Sequence, residues 1–346
     1  DLERARKVLA DLLEPAPGER DSRLNIRARL TAGLVAAEKN EPDRLAALRD
    51  MSSGGDPVHK AERAFYRALN KSLADSSDAL ESMQEVHEQL GGVPVVNLVY
   101  ARQRARAGNY ERAVKLYRSL PPLILRSPIM IVELAAAQAN MGEIDQALST
   151  LSSMHAKGAF SKSSLELFRD LTFRKQLNDK SKAAQALLEK KYPGDAGVQY
   201  SGALMALREG KIDSAVSLLT KLAKEHPDEE QFELSRLSAL LLTRDYDRVI
   251  EEINAGTGPK DALASLKARA YRRKGDLRGA EEALREGLNA KRTPRLLLEY
   301  ADLLITRDKD VEAAEIYREI MAKHEEQLAK DSAGNAMLLN NFAWAR

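Results

Sequence analysis

The chain contains no cysteine in its 346 residues. Disulfide bonds, thiolate nucleophiles and cysteine-ligated zinc or iron–sulfur centres are therefore excluded for this sequence. The five histidines, the other common zinc ligands, are far apart and have no second ligand at helical spacing. No catalytic constellation is visible, so the sequence predicts no enzymatic activity, no catalytic residues, no metal site and no cofactor.

Aromatic residues and charge of one sign are also scarce. Phe, Trp and Tyr make up 5% of the chain, with a single Trp, so stacking platforms for bases or sugars are few. The formal net charge is only +2, although 31% of the residues are charged. Nucleic-acid-binding proteins normally carry a basic stripe, so we expect no nucleic-acid partner. No apolar run approaches the length of a membrane span, so we expect no membrane insertion by this segment.

What the sequence does contain is a short repeated turn. A glycine, a polar residue, an apolar residue, two polar residues and an alanine occur first as Gly108-Asn109-Tyr110-Glu111-Arg112-Ala113. The glycine recurs after 34, then 68, then 65 residues, at Gly142, Gly210 and Gly275. Glycine tolerates the left-handed conformation that ends a helix, and alanine lets two helices approach closely. The spacing predicts a series of helix–turn–helix repeats.

These residues resemble the tetratricopeptide repeat family, whose unit is a 34-residue helix–turn–helix with a glycine turn and small residues in both helices. The resemblance implies an all-α fold, a right-handed α-solenoid of about nine to ten repeats, some of them degenerate. We expect a single array over residues 1–346. Residues 1–20 would form helix B of one partial repeat, and residues 332–346 would form helix A of another.

Two places interrupt the predicted regularity. Pro121 and Pro122 should end a second helix early, because proline breaks a helix. The apolar residues that follow, Leu123, Ile124 and Leu125, are expected to pack against the array. The unit over residues 161–194 has a turn without glycine, and we expect it to be the weakest joint.

The resemblance also implies where a partner would bind, because in this family the first helix of each hairpin lines a concave groove. Carrying that register onto this chain gives candidate binding residues that mix apolar side chains with arginines: Leu98, Arg102, Arg106, Asn140, Tyr200, Arg208, Leu234, Ser238, Arg269, Arg272 and Arg273. Arginine offers forked donors that suit carboxylates and phosphates, so the expected partner is a protein with an acidic or carboxylate-bearing segment. Alternatively, these arginines are solvated or pair with glutamates of adjacent repeats.

A groove without catalytic residues favours a non-enzymatic protein–protein interaction scaffold. The segment Asn340-Asn341-Phe342-Ala343-Trp344, within a long array, is similar to bacterial envelope proteins of exopolysaccharide secretion, which would place the chain in the periplasm. The cytoplasm is the alternative location. Two other functions stay open: direct binding of an anionic polysaccharide, and recruitment of substrate as the helical domain of a larger enzyme.

Overall fold

The computed structural model describes residues 23–51, 57–74, 76, 78–156, 158–256 and 258–330. All regular secondary structure in these residues is helical, which confirms the predicted all-α repeat fold. The chain divides into two compact units, the first ending at Leu188 and the second beginning at Glu189. The partial repeats expected at residues 1–20 and 332–346 lie outside the described residues, and a single array over residues 1–346 stays a prediction.

The described part of the first unit contains five helical hairpins and one short connecting helix, α7. Its helices are α1 (Arg23–Glu38), α2 (Pro42–Met51), α3 (Pro57–Leu73), α4 (Ala79–Leu90), α5 (Pro94–Arg106), α6 (Tyr110–Arg118), α7 (Pro122–Leu125), α8 (Pro128–Asn140), α9 (Ile144–His155), α10 (Lys162–Arg174) and α11 (Asn178–Lys191). The hairpins are α1–α2, α3–α4, α5–α6, α8–α9 and α10–α11. The division between the units falls inside α11.

Four hairpins make up the described part of the second unit, in which each helix contacts the next one along the chain. The helices are α12 (Ala196–Arg208), α13 (Ile212–Glu225), α14 (Glu230–Leu240), α15 (Tyr246–Ala255), α16 (Lys260–Lys274), α17 (Leu277–Ala290), α18 (Pro294–Thr306) and α19 (Asp310–Lys330). A 3₁₀ turn, Leu241–Thr243, extends α14. The hairpins pair α12 with α13, α14 with α15, α16 with α17, and α18 with α19.

A single residue in the left-handed conformation ends the first helix of most hairpins. The four predicted glycines all adopt it, with φ between +75° and +91°: Gly108, Gly142, Gly210 and Gly275. Residues with a side chain take the same position in four other hairpins, with φ between +54° and +66°: Asn40, Gln176, Arg244 and Asp308. An acidic or amide side chain then often caps the second helix, as Asp276 does by accepting a hydrogen bond from the backbone of Gly279 at 2.8 Å.

Small residues lie where the two helices of a hairpin meet. The alanines of the repeated turn motif are fully buried in the second helices, and so are four alanines of the first helices: Ala113, Ala147, Ala215 and Ala280, then Ala101, Ala135, Ala203 and Ala268. Larger side chains, such as Leu151 and Leu219, fill the space one helical turn further on. Within each unit the apolar core is therefore built from contacts between neighbouring helices, as expected for a repeat protein.

The apolar residues after the double proline behave differently from the expectation. Ile124 and Leu125 pack against the core of the first unit, but Leu123 is 82% exposed. Successive residues of a helix point about 100° apart, so the four-residue α7 can turn only part of its surface to the core. The expectation that all three residues pack was therefore wrong for Leu123.

The hairpin over residues 161–194 is held largely by polar contacts. In α11 the only buried apolar side chains are those of Ala184 and Leu188. Arg169 donates to the Gln185 side chain at 3.0 Å, and the Ser181 hydroxyl donates to the backbone carbonyl of Arg169 at 3.1 Å. A segment with few buried apolar contacts opens more easily than the rest of a protein. We therefore keep the prediction that this hairpin is the weakest joint.

Amide hydrogen exchange tests this joint. We expect the amides of α11 to exchange faster than those of α13, which buries Ala215, Leu219 and Leu222. The two helices are equal in length, at 14 residues each, so they make a matched comparison. Equal protection of the two helices would rule out a weak joint.

The left-handed turns predict opposite effects for two substitutions in the second unit. Gly210→Ala should lower the free energy of unfolding by about 1 kcal/mol, because the left-handed conformation is unfavourable for alanine. Open space surrounds the added Cβ, so no steric clash contributes. Arg244→Gly should raise the stability by a smaller amount. Urea titration followed by circular dichroism measures both changes.

Gly194→Ala is the control, because Gly194 also faces open space but has an ordinary φ. Its effect should stay within about 0.5 kcal/mol. If Gly210→Ala proves no more destabilising than Gly194→Ala, the turn does not depend on the left-handed conformation.

Candidate partner-binding face

The first helices of successive hairpins lie side by side within each unit, and polar contacts join them. These contacts recur at sequence separations of 31–35 residues: Gln103 with Ser72, Arg106 with Ser72, Arg102 with Glu133, Tyr200 with Ser235, and Ser265 with Glu299. We call the exposed side of these helices the first-helix face. The predicted binding residues lie on these helices.

Arg102 on α5 is already paired inside the first unit. Its Nε and Nη2 donate to both carboxylate oxygens of Glu133 on α8, at 2.8–3.1 Å. Its Nη1 donates to Glu38 on α1 at 2.6 Å. Although desolvation acts to lower it, these two carboxylates raise the pKa of Arg102 above its ordinary value. One guanidinium thus links three first helices and has little capacity left for a partner.

The other predicted residues of the first unit are not assembled into one site. Arg106 is exposed, and its Nη1 donates to the Ser72 hydroxyl at 3.2 Å. Leu98 is half-buried against the core, and Asn140 is exposed at the end of α8. Burial raises the pKa of Tyr117, and so does the nearby Glu133, the carboxylate that Arg102 binds. This part of the face is mainly occupied by contacts between its own helices.

In the second unit, Tyr200 joins α12 to α14. Its hydroxyl shares a hydrogen bond of 2.8 Å with Ser235, and its ring centroid lies 5.3 Å from that of Phe232. Arg208 is exposed at the end of α12, while Leu234 and Ser238 are half-buried on α14. Tyr200 therefore contributes to the packing of the face rather than to its free surface.

Arg269, Arg272 and Arg273 are exposed in the last two turns of α16. Their side chains form no hydrogen bond or ion pair with any residue that the structure describes. Seven other arginines in the described part of this unit do form ion pairs, each with a glutamate: Arg236, Arg248, Arg278, Arg285, Arg292, Arg295 and Arg307. The three arginines of α16 therefore form an uncompensated patch, which we call the arginine patch.

The arginine patch concentrates positive charge on one side of a helix end. Arg272 and Arg273 each lie about one helical turn from Arg269, so each repels Arg269 by a few tenths of a kcal/mol. The negative end of the helix dipole offsets part of this repulsion. An anionic ligand would remove the rest, and forked guanidinium donors suit a carboxylate or phosphate best.

The described residues contain no group of three or more histidine, aspartate or glutamate side chains that could hold a metal ion. In the same residues, no helix combines the length and apolar character needed to cross a membrane.

A comparison of the sequence with protein-family models and with curated proteins finds no match. Solved structures do match. Yeast Tom70 is 14% identical with a TM-score of 0.55, over 99% of this chain and 79% of that chain. A tetratricopeptide repeat protein from Parabacteroides merdae is 13% identical with a TM-score of 0.54, over 71% of this chain and 98% of that chain. The fold is that of a tetratricopeptide repeat protein. Similarity at this identity establishes the tetratricopeptide-repeat fold alone.

Sequence reasoning did not include Leu242 among the residues of the face. Leu242 lies in the 3₁₀ turn after α14, and its large apolar side chain is 41% exposed. It continues the four-residue steps from Leu234 and Ser238. Its position could have indicated it. Leu242 lies two residues before the left-handed Arg244, just as Arg273 lies two residues before the left-handed Gly275. The register that gave Leu234 and Ser238 reaches Leu242 one step later, and the prediction ended one step too early.

The pairing of Arg102 predicts a contrast between two arginines one turn apart. Arg102→Ala should lower the free energy of unfolding of the first unit by about 2 kcal/mol, because it leaves the half-buried Glu133 without its cation. Arg106→Ala should change it by no more than about 0.5 kcal/mol, since Arg106 is exposed with a neutral partner. Urea titration measures both. Equal effects would show that the Arg102 pairs contribute nothing specific.

Proposed function

We propose that this chain is a non-enzymatic scaffold that binds a partner protein through an acidic segment on the first-helix face of its second unit. The observation that carries this proposal is the arginine patch. Seven arginines of the same unit form ion pairs with glutamates, whereas the three arginines of the patch form no ion pair with a carboxylate of the described residues. A partner that supplies carboxylates would complete the same kind of pairing.

Two further features support a protein as the partner. Tetratricopeptide-repeat folds serve generally as protein-interaction scaffolds. In addition, the helices beside the patch carry partly exposed apolar side chains, Leu234 on α14 and Leu298 on α18, which a polypeptide could cover. Arginine is among the residues that most often anchor protein interfaces.

The setting of this activity is a separate proposal. The resemblance of Asn340-Asn341-Phe342-Ala343-Trp344 to envelope proteins supports a role in bacterial polysaccharide export, but these residues lie outside the described part of the chain. An anionic polysaccharide would use the same guanidinium groups, so it is tested beside the peptide.

Charge reversal of the patch tests the proposed function. Arg269→Glu, Arg272→Glu and Arg273→Glu together should weaken binding of a fluorescent hexaglutamate peptide more than tenfold, since each charge-assisted contact contributes roughly 0.5–1 kcal/mol. Binding to the unchanged chain should also weaken as salt is added. Fluorescence anisotropy measures both affinities, and circular dichroism checks the fold of the variant.

The control is a second triple reversal, Lys221→Glu, Lys224→Glu and Arg318→Glu, on exposed positions of the second helices α13 and α19. It makes the same change in net charge and should leave peptide binding nearly intact. Equal losses in both variants would mean that net charge, rather than the patch, attracts the peptide. Binding of polygalacturonate but not of the peptide would favour the polysaccharide alternative.

A further inference from the structure

The partner segment can be described more closely from the surface next to the arginine patch. Leu242 is the one large apolar side chain of α14 and its 3₁₀ turn that is left exposed, among the residues described there. Arg244 holds the chain in the left-handed conformation two residues later, with φ of 66°. Gly275 does the same two residues after Arg273, with φ of 87°. Leu242 and Arg273 therefore occupy equivalent positions on neighbouring first helices.

The spacing between these two positions follows from helix packing. α14 and α16 are in contact. The axes of packed helices lie about 8–10 Å apart, so equivalent side chains on one face are separated by about the same distance. An extended polypeptide advances about 3.3 Å per residue. A segment crossing from Leu242 to the arginine patch would cover that distance in about three residues.

We infer that the acidic segment of the partner carries an aliphatic side chain three residues from its first acidic residue, and that this side chain packs on Leu242. The inference rests on the proposed function, because it assumes that acidic residues sit on the arginine patch. The acidic residues at one end of the segment would bind the arginine patch through charge complementarity. The aliphatic side chain at the other end would cover the exposed apolar surface of Leu242. The proposed occupant is thus an extended peptide with an aliphatic residue, two residues of any type, and a run of acids.

Labelled peptides test this inference directly. The peptides of one pair carry a leucine or a serine three residues before the first of three glutamates. Those of a second pair carry it three residues after the last glutamate, so that both chain directions are tested. We expect the leucine peptide of one orientation to bind the full chain about fivefold more tightly than its serine counterpart, the effect of partly burying one aliphatic side chain. Leu242→Ser should abolish that difference and leave the affinity for the serine peptide unchanged. Val311→Ser, at a 77% exposed position on α19, is the matched control and should preserve the difference.

The outcomes separate this inference from the proposed function. If the leucine and serine peptides bind equally and charge reversal of the patch still abolishes both, the proposed function stands and the aliphatic contact is refuted. Retention of the leucine preference in Leu242→Ser also refutes it. If no peptide binds the unchanged chain, the proposed function and the inference both fail.

Discussion

The left-handed residue at the end of most first helices is the constraint on which the rest of the structure depends. It reverses the chain within a few residues, so that the second helix returns along the first and the alanines of both can meet. The 34-residue step between Gly108 and Gly142 continues through Gln176, Gly210 and Arg244. Within each unit, such a step sets the next first helix beside the previous one. The first-helix face of each unit is therefore a consequence of turns placed at regular intervals.

The two units differ in whether the arginines on that face are paired with carboxylates. In the first unit, Arg102 forms ion pairs with Glu38 and Glu133 and so links the helices α1, α5 and α8. In the second, the glutamates near α16 are committed elsewhere; Glu299, for example, binds Ser265 and Arg295. The arginine patch is left with exposed guanidinium groups at a helix end. Arginines of similar position in the repeat thus have different roles, stability in one unit and proposed recognition in the other.

The fold could be predicted from sequence because its signal is local and repeated. Gly108, Gly142, Gly210 and Gly275 mark the turns, and the spacing between them makes the pattern specific. The turns near Gln176 and Arg244 were recognised without a glycine, but which residue there is left-handed could not be read from the sequence. The engagement of Arg102 was also hidden, because its partners lie 31 and 64 residues away and a charge pattern alone does not show which carboxylate is within reach. The patch residues were predicted as candidates, but their lack of partners is visible only in the structure.

The central claim is that an acidic segment binds on the first-helix face beside α16. Photo-cross-linking tests it most directly, with a hexaglutamate peptide that carries a benzophenone group and is irradiated with the full chain. Mass spectrometry then locates the linked residues. The account predicts cross-links on the exposed sides of α14 and α16, including the turn that holds Leu242. Cross-links concentrated on the second helices α13, α15, α17 and α19, or on the first unit, would contradict it.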